Sequence, residues 1–514
     1  MKKSIILVSS LLLASTGFAQ EFGAKVFPDM YAIKMSPNGK WIGSMAGDAL
    51  LYNSETEEGK LYNCFIGLGN TIADNGMAVG NSEDKATIIY NGKLLFPATL
   101  GESKFSLCCI NAITPDATRI TGVISNLERG IDYVAFYADL DESGNVGEPV
   151  ILPYPTKDFF GMTPQFVTGV WISYDGKTIT GQVMDWRGMY AYPVVFREDE
   201  DGNWSYSLPS APLFNPENIE IPASPWINEP KYPEVQDFLT GEVREAYIKA
   251  FDLYLNGLGP WPDPAEYCNE EEYVLYILAV EEYNQWFKDH TPDMIKYDNA
   301  YFDIINSSPN FSANDMALSP EGDYFLVQAY LANLPEENRK KIYKISTTVE
   351  GGEIIDSPEG AFFPTQILTD GTWVISRGLQ NSPRSYMLLP DSREWITLEE
   401  YFSTSDPSIS TWINTNAPDG DGFLCLNNDK DVFSCGLYSY QWKGFVDGIS
   451  SFYNTYVITL ASSDVKDIAD GLTEEIYMVY NLQGVKMLET KDKSQINALP
   501  EGIYVVNGKK IIVK

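Results

Sequence analysis

Residues 173–184, SYDGKTITGQVM, combine a tight turn with the start of a β-strand. The turn is Ser173-Tyr174-Asp175-Gly176, in which Asp-Gly supplies the positive φ that a hairpin needs. Apolar and polar side chains then alternate over residues 179–184, and a second run of strand-forming residues covers 191–197. The segment 199–204 is typical of a further hairpin. The stretch therefore predicts consecutive antiparallel strands joined by short turns.

Turns of similar composition recur along most of the chain, each followed by an apolar alternating strand. The seven copies are Ser36-Pro37-Asn38-Gly39, Ala73-Asp74-Asn75-Gly76, Thr114-Pro115-Asp116-Ala117, Ser173-Tyr174-Asp175-Gly176, Ser319-Pro320-Glu321-Gly322, Leu368-Thr369-Asp370-Gly371 and Ala417-Pro418-Asp419-Gly420. Counted at the fourth residue of each turn, the spacings are 37, 41, 59, 146, 49 and 49. The one long interval becomes regular if about 100 residues within it are an insertion.

A repeat of about 40 to 50 residues rich in strands and turns is typical of β-propellers, whose four-stranded blades are arranged radially. We therefore predict a mainly β fold, a seven-bladed β-propeller over residues 20–462. Six or eight blades are alternatives because the last unit is irregular, and a two-sheet sandwich is the second interpretation. The repeats resemble the propeller repeats of bacterial extracellular proteins, in which Ser-x-Asp-Gly leads into a strand that ends in Gly.

Residues 209–309 depart from this pattern and form the predicted insertion within the propeller. A proline-rich connection comes first, and two helices follow. The first has apolar residues at helical spacing, namely Val243, Tyr247, Phe251 and Tyr254. In the second, Asn269 and Glu272 match a capping box, and we expect this helix to end near His290, just before Pro292. The two would form a helical hairpin that lies like a lid on one propeller face.

Three tryptophans of this insertion are candidate ligand-binding residues: Trp226, Trp261 and Trp286. Exposed aromatic rings offer flat apolar faces for stacking, so exposure of these rings would favour a sugar ligand. The alternative interpretation is that the aromatic stripes form the seam between the two helices.

Both ends of the chain carry export features. Residues 1–19 begin with Lys2 and Lys3, continue through an apolar run and close on small residues, which is the pattern of a secretory signal peptide. The apolar run is too short to span a membrane, and no later run of about 18 apolar residues occurs. We therefore expect export and no integral membrane segment after signal cleavage.

The last fifty residues, 463–514, differ from the repeats and predict a small antiparallel β module of two hairpins. They resemble the C-terminal sorting domain of the type IX secretion system in its type A form. The residues that carry this resemblance are Tyr480, Gly484, Leu499, Pro500, Gly502 and Tyr504, followed by a basic ending. The resemblance implies recognition by outer-membrane secretion machinery, with release or attachment at the cell surface. An ordinary closing hairpin is the alternative.

Composition narrows the classes of function. The chain of 514 residues has 71 acidic and 36 basic side chains, a formal net charge of -35. Such a surface repels polyanions, so nucleic acid is excluded as a partner. Hydrophobic residues make up 44% of the chain, which is enough to form a folded core rather than an acidic disordered chain.

Motifs for catalysis are not found in the sequence. The single histidine, His290, cannot supply both ligands of a two-His metal site, and a catalytic triad built on it would require the lid to reach the propeller axis. We interpret it as a residue near a helix C-terminus. A glycosidase that uses two carboxylates is not excluded, because sequence spacing across blades does not fix the distance between carboxyl groups.

Calcium is the ion that the sequence favours most. Asp139 and Asp141 lie in one short loop, and Asp419 and Asp421 lie in another, so each loop offers hard oxygen ligands. Neither loop matches the EF-hand pattern. The alternative is that both are solvated hairpin turns.

Six cysteines would enter an oxidising compartment. Cys425 and Cys435 are candidates for a disulfide across a hairpin, and Cys64 is a candidate to pair with Cys108 or Cys109 from a neighbouring blade. Six buried thiols are the alternative.

Together these features predict a secreted or cell-surface propeller that binds a glycan, peptide or protein partner without catalysis. A carboxylate-based glycan hydrolase and a structural component of the cell envelope are the other hypotheses.

Overall fold

The computed structural model describes residues 22–28, 32–44, 49–82, 85–97, 108–125, 133–377, 384–392, 394–416, 422–442, 449–460 and shorter segments between 477 and 513. Within these residues the fold is mainly β, with most helical structure in one insertion. None of the described helices is both long enough and apolar enough to cross a membrane.

Strands that are consecutive in the chain form six four-stranded units in the described residues, and a seventh unit combines three consecutive strands with Phe22–Pro28. We number these units as sheets in chain order. The first sheet contains Ala32–Met35, Trp41–Ser44, Ala49–Asn53 and Gly59–Tyr62, and the second contains Phe65–Ile66, Ala78–Ser82, Lys85–Tyr90 and Lys93–Leu95. The third contains Cys108–Ile113, Arg119–Ser125, Tyr133–Asp139 and Val150–Ile151, and the fourth contains Phe166–Ile172, Thr178–Met184, Ala191–Glu198 and Trp204–Ser207. The fifth sheet contains Asn310–Leu318, Tyr324–Tyr330, Lys340–Ser346 and Glu353–Ile355, and the sixth contains Ala361–Ile367, Trp373–Arg377, Ser385–Leu388 and Ile396–Thr397. The seventh contains Gly422–Leu426, Val432–Trp442, Ile449–Leu460 and Phe22–Pro28. One parallel bridge, between Tyr133 and Phe166, joins the third sheet to the fourth.

The seventh sheet takes its outermost strand from the beginning of the chain. Phe22–Pro28 pairs antiparallel with Ile449–Leu460, from Phe22 opposite Leu460 to Pro28 opposite Asn454. Strands more than 400 residues apart in sequence are thus held by one ladder of backbone hydrogen bonds. The sequence signal for this pairing was weak, because Phe22–Pro28 has no repeat turn before it.

The chain divides into two compact units. One unit contains residues 63–375, and the other contains residues 1–62 together with 376–514. In the second of these, side chains of the first and seventh sheets share a small core of Ile42, Leu50, Tyr52, Val432 and Val457. In the first, the second and third sheets share a core that includes Met77, Ile88, Ile110, Ile120 and Phe136. In both units, these neighbouring sheets therefore bury a face against each other.

The six repeated turns in the described residues share one backbone hydrogen bond, from the N–H of the fourth residue to the carbonyl of the first, and the turn at Ser173 shows the predicted side-chain chemistry. The Ser173 Oγ donates to Asp175 Oδ1 (2.6 Å) and accepts from the Thr178 backbone N–H (2.9 Å), while the Gly176 N–H donates to the Ser173 carbonyl (3.0 Å). Gly176 has φ of 73°, a value that L side chains rarely adopt. The small hydroxyl residue and the Asp therefore close the turn with their own side chains.

The second residue of the turn links neighbouring sheets. The Asp74 N–H donates to the Pro115 carbonyl (2.8 Å), and the Tyr174 N–H donates to the Pro320 carbonyl (2.9 Å). The Asn428 N–H donates to Pro37 in the same way (2.9 Å). Proline lacks an N–H, so it can only accept at this position, and the facing turn supplies a residue that donates.

The seventh turn does not lie where the sequence pattern placed it. Ala417-Pro418-Asp419-Gly420 lies outside the described residues, and the equivalent turn of the seventh sheet is formed by residues 427–430. There the Lys430 N–H donates to the Asn427 carbonyl (3.1 Å), and Lys430 has φ of 54°. The pattern search missed this turn because a lysine occupies the position that glycine holds elsewhere.

Glycine in the second strand of several sheets has a steric reason. A Cβ at Gly80, Gly122 or Gly181 would lie 1.8, 1.9 or 1.7 Å from a carbonyl oxygen of the preceding strand. Opposite Gly122 and Gly181 the first strand contains a bulge, which brings its backbone close. This close approach explains the recurring glycine, which lies in the middle of the strand after the turn and not at its end, as the sequence pattern suggested.

Five α-helices lie in the described residues: α1 (Gly241–Leu255), α2 (Pro264–Tyr267), α3 (Glu270–Ser307), α4 (Leu398–Ser405) and α5 (Pro407–Asn416). The capping box of Asn269 and Glu272 is confirmed at the start of α3. The expected end of this helix near His290 is wrong, because α3 continues through Pro292 to Ser307. The sequence analysis did not predict α4 and α5.

The C-terminal module forms a separate four-stranded antiparallel sheet. Its strands are Tyr477–Asn481, Lys486–Thr490, Gly502–Val506 and Lys509–Val513, and the first and third of them are central. This agrees with the two hairpins predicted from the sequence.

We predict that Gly181→Ala lowers the free energy of unfolding by about 2 to 3 kcal/mol, because the added Cβ overlaps the Thr168 carbonyl oxygen and forces the strands apart. Urea unfolding followed by circular dichroism measures the change. Gly259→Ala is the matched control, since a Cβ there has no neighbour closer than 3.4 Å, and its effect should be below about 1 kcal/mol. Equal effects of the two substitutions would contradict the packing argument.

Candidate functional site

The helical insertion joins the fourth sheet to the fifth. It follows strand Trp204–Ser207 and ends before strand Asn310–Leu318. Its longest element, α3, has 38 residues and two different halves. No residue of α3 before Met294 is buried. The buried residues of α3 are Met294, Tyr297, Tyr301, Ile304 and Ser307. The C-terminal half is therefore docked, and the N-terminal half projects.

Pro292 lies at the junction of these two halves. Proline has no N–H to donate to the carbonyl four residues earlier, so it removes one helical hydrogen bond. Nearby side chains bond to backbone carbonyls instead. The His290 Nδ1–H donates to the Trp286 carbonyl (2.8 Å), and the Thr291 Oγ1 donates to the Phe287 carbonyl (2.7 Å). His290 is thus a residue of the helix interior, not of its end.

A buried carboxylate holds the docked half of α3 on the fourth sheet. Asp185, at the end of strand Thr178–Met184, is 0% exposed and accepts hydrogen bonds from the Met189 and Tyr190 backbone N–H groups (both 2.7 Å). Its other oxygen accepts from the Tyr301 hydroxyl of α3 (2.6 Å). Burial, together with this bond to Asp185, raises the pKa of Tyr301, so the hydroxyl remains a donor.

Arg187 adds a second connection between the same turn and α3. Its guanidinium pairs with Asp298 of the helix. The same group lies over the rings of Trp186 (4.5 Å) and Tyr301 (4.6 Å). Because both the ion pair and the ring faces are partly shielded from water, these contacts are stronger than surface pairs of the same kind.

A second buried carboxylate, Asp158, also supports the turn that holds α3. It accepts backbone hydrogen bonds from Phe160 and Met162 (both 2.9 Å) and from Trp186 (3.0 Å). Burial raises the pKa of Asp158 in spite of these bonds, and the charge of Asp185 contributes in the same direction. The partners of Asp158 and Asp185 shape loops, which gives both carboxylates a structural role.

Aromatic rings fill the space between the carboxylates and the start of the insertion. Phe160 contacts Tyr301 (ring centroids 4.5 Å apart) and Phe214 (5.4 Å), and Phe159 stacks on Tyr192 (4.0 Å). Apolar burial on this scale, rather than any single hydrogen bond, supplies most of the free energy that docks the helix.

The projecting part of the insertion has its own small core. Val235, Leu239 and Tyr247 are buried, and partly buried neighbours including Tyr267 and Tyr276 pack against them. The core therefore links α1 and the N-terminal half of α3 without help from the sheets.

Outside this core, the projecting part exposes many apolar side chains. Half of the exposed large hydrophobic side chains in the described residues lie between residues 227 and 278. The most exposed are Leu258 (75%) and Leu255 (65%) at the end of α1. Clustered exposure of this kind marks a surface for binding another molecule.

The three candidate tryptophans do not form one site. Trp226 and Trp286 both contact Phe287, with ring centroids 5.9 and 5.4 Å from it. Trp286 also stacks on His290 (4.4 Å). Trp261 is 55% exposed and lies elsewhere, beside Phe251 and Tyr254.

The candidate calcium ligands that the structure describes have protein partners. Asp139 pairs with Arg119 (2.7 Å). Asp141 accepts three bonds within its own turn, two of them from Asn145, and these bonds lower its pKa. Asp419 and Asp421 lie outside the described residues. Among the residues described, no three His, Cys, Asp or Glu side chains cluster as metal ligands would.

Strand register separates the first pair of candidate disulfide cysteines. Cys425 pairs with Ser434, so the adjacent Cys435 is directed to the opposite face of the sheet, which disfavours the predicted hairpin disulfide. Cys64 is buried, and the side chain of Cys108 lies outside the described residues. The Cys109 thiol is not in a disulfide; it donates to Asn111 Oδ1 (3.4 Å), and burial raises its pKa to about 12.

The residues of the sorting resemblance lie in or near the C-terminal sheet. Tyr480, Gly502 and Tyr504 are strand residues, and Leu499 and Pro500 precede the third strand. Gly484 lies outside the described residues. The sorting role of these residues stays a prediction.

Burial perturbs one lysine on a first strand. Lys34 lies in the first strand of the first sheet, and burial lowers its pKa to about 8. Cys425, in the first strand of the seventh sheet, is close enough for its charge to affect Lys34, and burial raises its own pKa to about 12. A lysine of this kind was not a candidate in the sequence analysis, because burial of a single residue in an alternating strand has no sequence signature.

Comparison with known proteins gives only distant similarity. No protein-family model matches the chain, and no curated protein matches it. Among solved structures, a putative TolB from Agrobacterium tumefaciens has 11% identity and a TM-score of 0.31, covering 74% of this chain and 89% of that one. TolB from Acinetobacter baumannii has 10% identity and a TM-score of 0.29, covering 95% and 78%. The β-propeller domain of the Trilobed protease from Pyrococcus furiosus has 9% identity and a TM-score of 0.29, covering 94% and 98%.

We predict that Tyr301→Phe lowers the free energy of unfolding by about 1.5 to 3 kcal/mol, because it removes a buried donor from the Asp185 carboxylate. Urea unfolding measures the change, and hydrogen exchange should show faster exchange in the docked half of α3. The control is Tyr283→Phe, whose hydroxyl bonds to Glu229 at an exposed position and should contribute less than about 0.5 kcal/mol. Similar effects of the two variants would show that Asp185 does not anchor the helix.

We also predict a pH effect at Lys34. Because its folded-state pKa of about 8 lies below the ordinary value of 10.5, the unfolded chain binds more protons between these values, and stability rises with pH there. The unfolding free energy of wild type minus that of Lys34→Met should therefore increase as pH rises through this window. Lys40→Met, which removes an equal charge from an exposed site, is the control, and equal slopes for the two variants would refute the prediction.

Proposed function

We propose that this chain is an exported protein whose seven sheets close into a β-propeller and which binds a macromolecular partner through its helical insertion, without catalysis. The observation that carries the proposal is the exposed apolar surface on the projecting half of α3 and on α1. Surfaces of this kind rarely remain uncovered in a soluble monomer.

The two halves of the insertion differ, one docked and one projecting, and this difference supports a binding role. Its docked half is anchored by Asp185 and Arg187, so the projecting half is held by a rigid base. Apolar side chains that stabilised only the fold would be directed into the core around Tyr247, yet Leu255 and Leu258 are directed to solvent. An anchored, partly apolar arm is a suitable element for recognising a partner.

A binding role without catalysis is favoured by the partners of the reactive groups. His290 bonds within its own helix and stacks on Trp286, and no carboxylate of the described residues bonds to its ring. Asp158 and Asp185 are occupied by backbone N–H groups and the Tyr301 hydroxyl. A glycosidase would require a carboxylic acid and a carboxylate that face a substrate.

Export is proposed from the two ends of the chain. The apolar leader at residues 1–19 and the C-terminal sheet with Tyr480, Pro500 and Gly502 support passage through the inner membrane and recognition by outer-membrane secretion machinery. The protein would then act outside the cell or at its surface, where a glycan, peptide or protein is accessible as a ligand.

An array experiment with the mature chain tests the proposal. We expect the chain starting at Gln20 to bind a subset of peptides or glycans on a mixed array. Binding is expected both with calcium and, in a separate incubation, with a chelator. Leu275→Ser with Leu278→Ser should abolish peptide signals, and Trp261→Ala should abolish glycan signals, because each removes exposed apolar surface from the insertion.

Val349→Ser with Ile354→Ser is the matched control, since both residues are exposed apolar side chains in or near the fifth sheet. It should leave the array pattern unchanged. Uniform absence of binding, or signals that every variant retains, would contradict a binding role for the insertion. If the chelator removes the signal and the substitutions in the insertion do not, the result would instead indicate a calcium-dependent site elsewhere and would also count against the proposal.

A further inference from the structure

The projecting half of α3 has a regular arrangement of charge and apolar surface. Four pairs of consecutive residues follow one another at intervals of three or four, and all eight side chains are exposed. They are Glu270 and Glu271, Val274 and Leu275, Ile277 and Leu278, and Glu281 and Glu282. Residues three and four apart lie on the same side of a helix, so the pairs form one stripe. We call this stripe the acidic-apolar ladder.

The ladder is directed away from the core of the insertion. On the same turns of α3, Tyr276 packs against that core and its ring lies 5.8 Å from the ring of Phe238. Val274, Leu275 and Leu278 are each 51% exposed. The helix thus has an inner aromatic side and an outer side on which Val274, Leu275 and Leu278 are half-exposed and Ile277 is 36% exposed.

The charges at the ends of the ladder are not compensated. None of the four ladder glutamates has an ion-pair partner in the described part of the chain. Across residues 209–309, acidic side chains outnumber basic ones by 19 to 5. The ladder therefore combines an apolar centre with strongly negative ends in a negative surrounding field.

This charge pattern distinguishes among the possible occupants of the apolar centre. A second copy of the chain would bring two acidic ladders together, and like charges in contact oppose association. An anionic lipid surface is repelled for the same reason. A cationic amphipathic segment would cover the apolar centre and neutralise both acidic ends.

We propose that the ladder binds a helical segment of a partner protein that presents lysine or arginine pairs on either side of an apolar centre. This inference rests on the proposed binding function and specifies the partner. The acidic pairs are 11 residues apart, a separation of about 16 Å along the helix axis, so the basic pairs of the partner need the same separation. Apolar contact supplies the affinity, and the charges fix register and orientation.

The test uses a synthetic peptide with the complementary pattern, Ac-AKKAALLALLAAKKA-amide, titrated into the mature full-length chain by calorimetry. We expect saturable binding that weakens when salt rises from about 0.05 to about 0.5 M, because charge pairing is screened. A scrambled peptide of the same composition should bind at least tenfold more weakly, since it has the same charge but no apolar stripe.

Variants of the protein separate the ladder from its overall negative charge. Leu275→Ser with Leu278→Ser, and separately Glu281→Gln with Glu282→Gln, should each weaken peptide binding at least tenfold. The control Glu336→Gln with Glu337→Gln removes two adjacent acidic charges from a loop of the fifth sheet and should leave it unchanged. All these side chains are exposed, so unchanged thermal unfolding confirms that the variants fold.

Other outcomes overturn the proposal. Equal binding of the scrambled peptide, or equal weakening by the control variant, would show nonspecific attraction to an acidic protein. A dimer in sedimentation that Leu275→Ser with Leu278→Ser dissociates would identify a second copy as the occupant, and binding to phosphatidylcholine vesicles would identify a membrane. If the peptide fails while array ligands still depend on Leu275 and Leu278, the binding function stands and the partner chemistry proposed here is wrong.

Discussion

The bond between the Tyr301 hydroxyl and the buried Asp185 carboxylate determines how the insertion is presented. Asp185 closes a turn of the fourth sheet through backbone N–H groups, and its Oδ2, which also accepts from the Arg187 N–H, accepts from one donor of α3. A buried carboxylate without that donor would be costly, so the helix and the turn require each other. Arg187 and its pair with Asp298 reinforce the same junction. The projecting half of α3 is consequently fixed at its base while its surface remains open.

The sheets provide the platform for this arrangement through repeated local constraints. Each turn closes itself with a side-chain oxygen, and several turns donate an N–H to a proline carbonyl of the neighbouring sheet. Glycines such as Gly181 allow the second strand to approach the bulged first strand. Since these constraints repeat from sheet to sheet, an insertion of about 100 residues can be accommodated between two sheets.

The sequence predicted the features that depend on neighbours in the chain. The turn at Ser173 and the capping box at Asn269 both follow from residues a few positions apart. Features that depend on distant residues were not predictable. Tyr301 and Asp185 are 116 residues apart, and nothing in either segment indicates that they meet. Pro292 suggested a helix end because its local cost is visible in sequence, whereas the packing that offsets this cost is not.

Hydroxyl-radical footprinting of the free mature chain tests most directly whether α3 has a docked half and an open half. The account predicts strong oxidation of Leu275 and Leu278 and protection of Tyr297 and Tyr301, which are 0% and 1% exposed. Equal protection of all four would show that the apolar stripe is covered within the protein itself. That result would remove the physical basis for a binding arm.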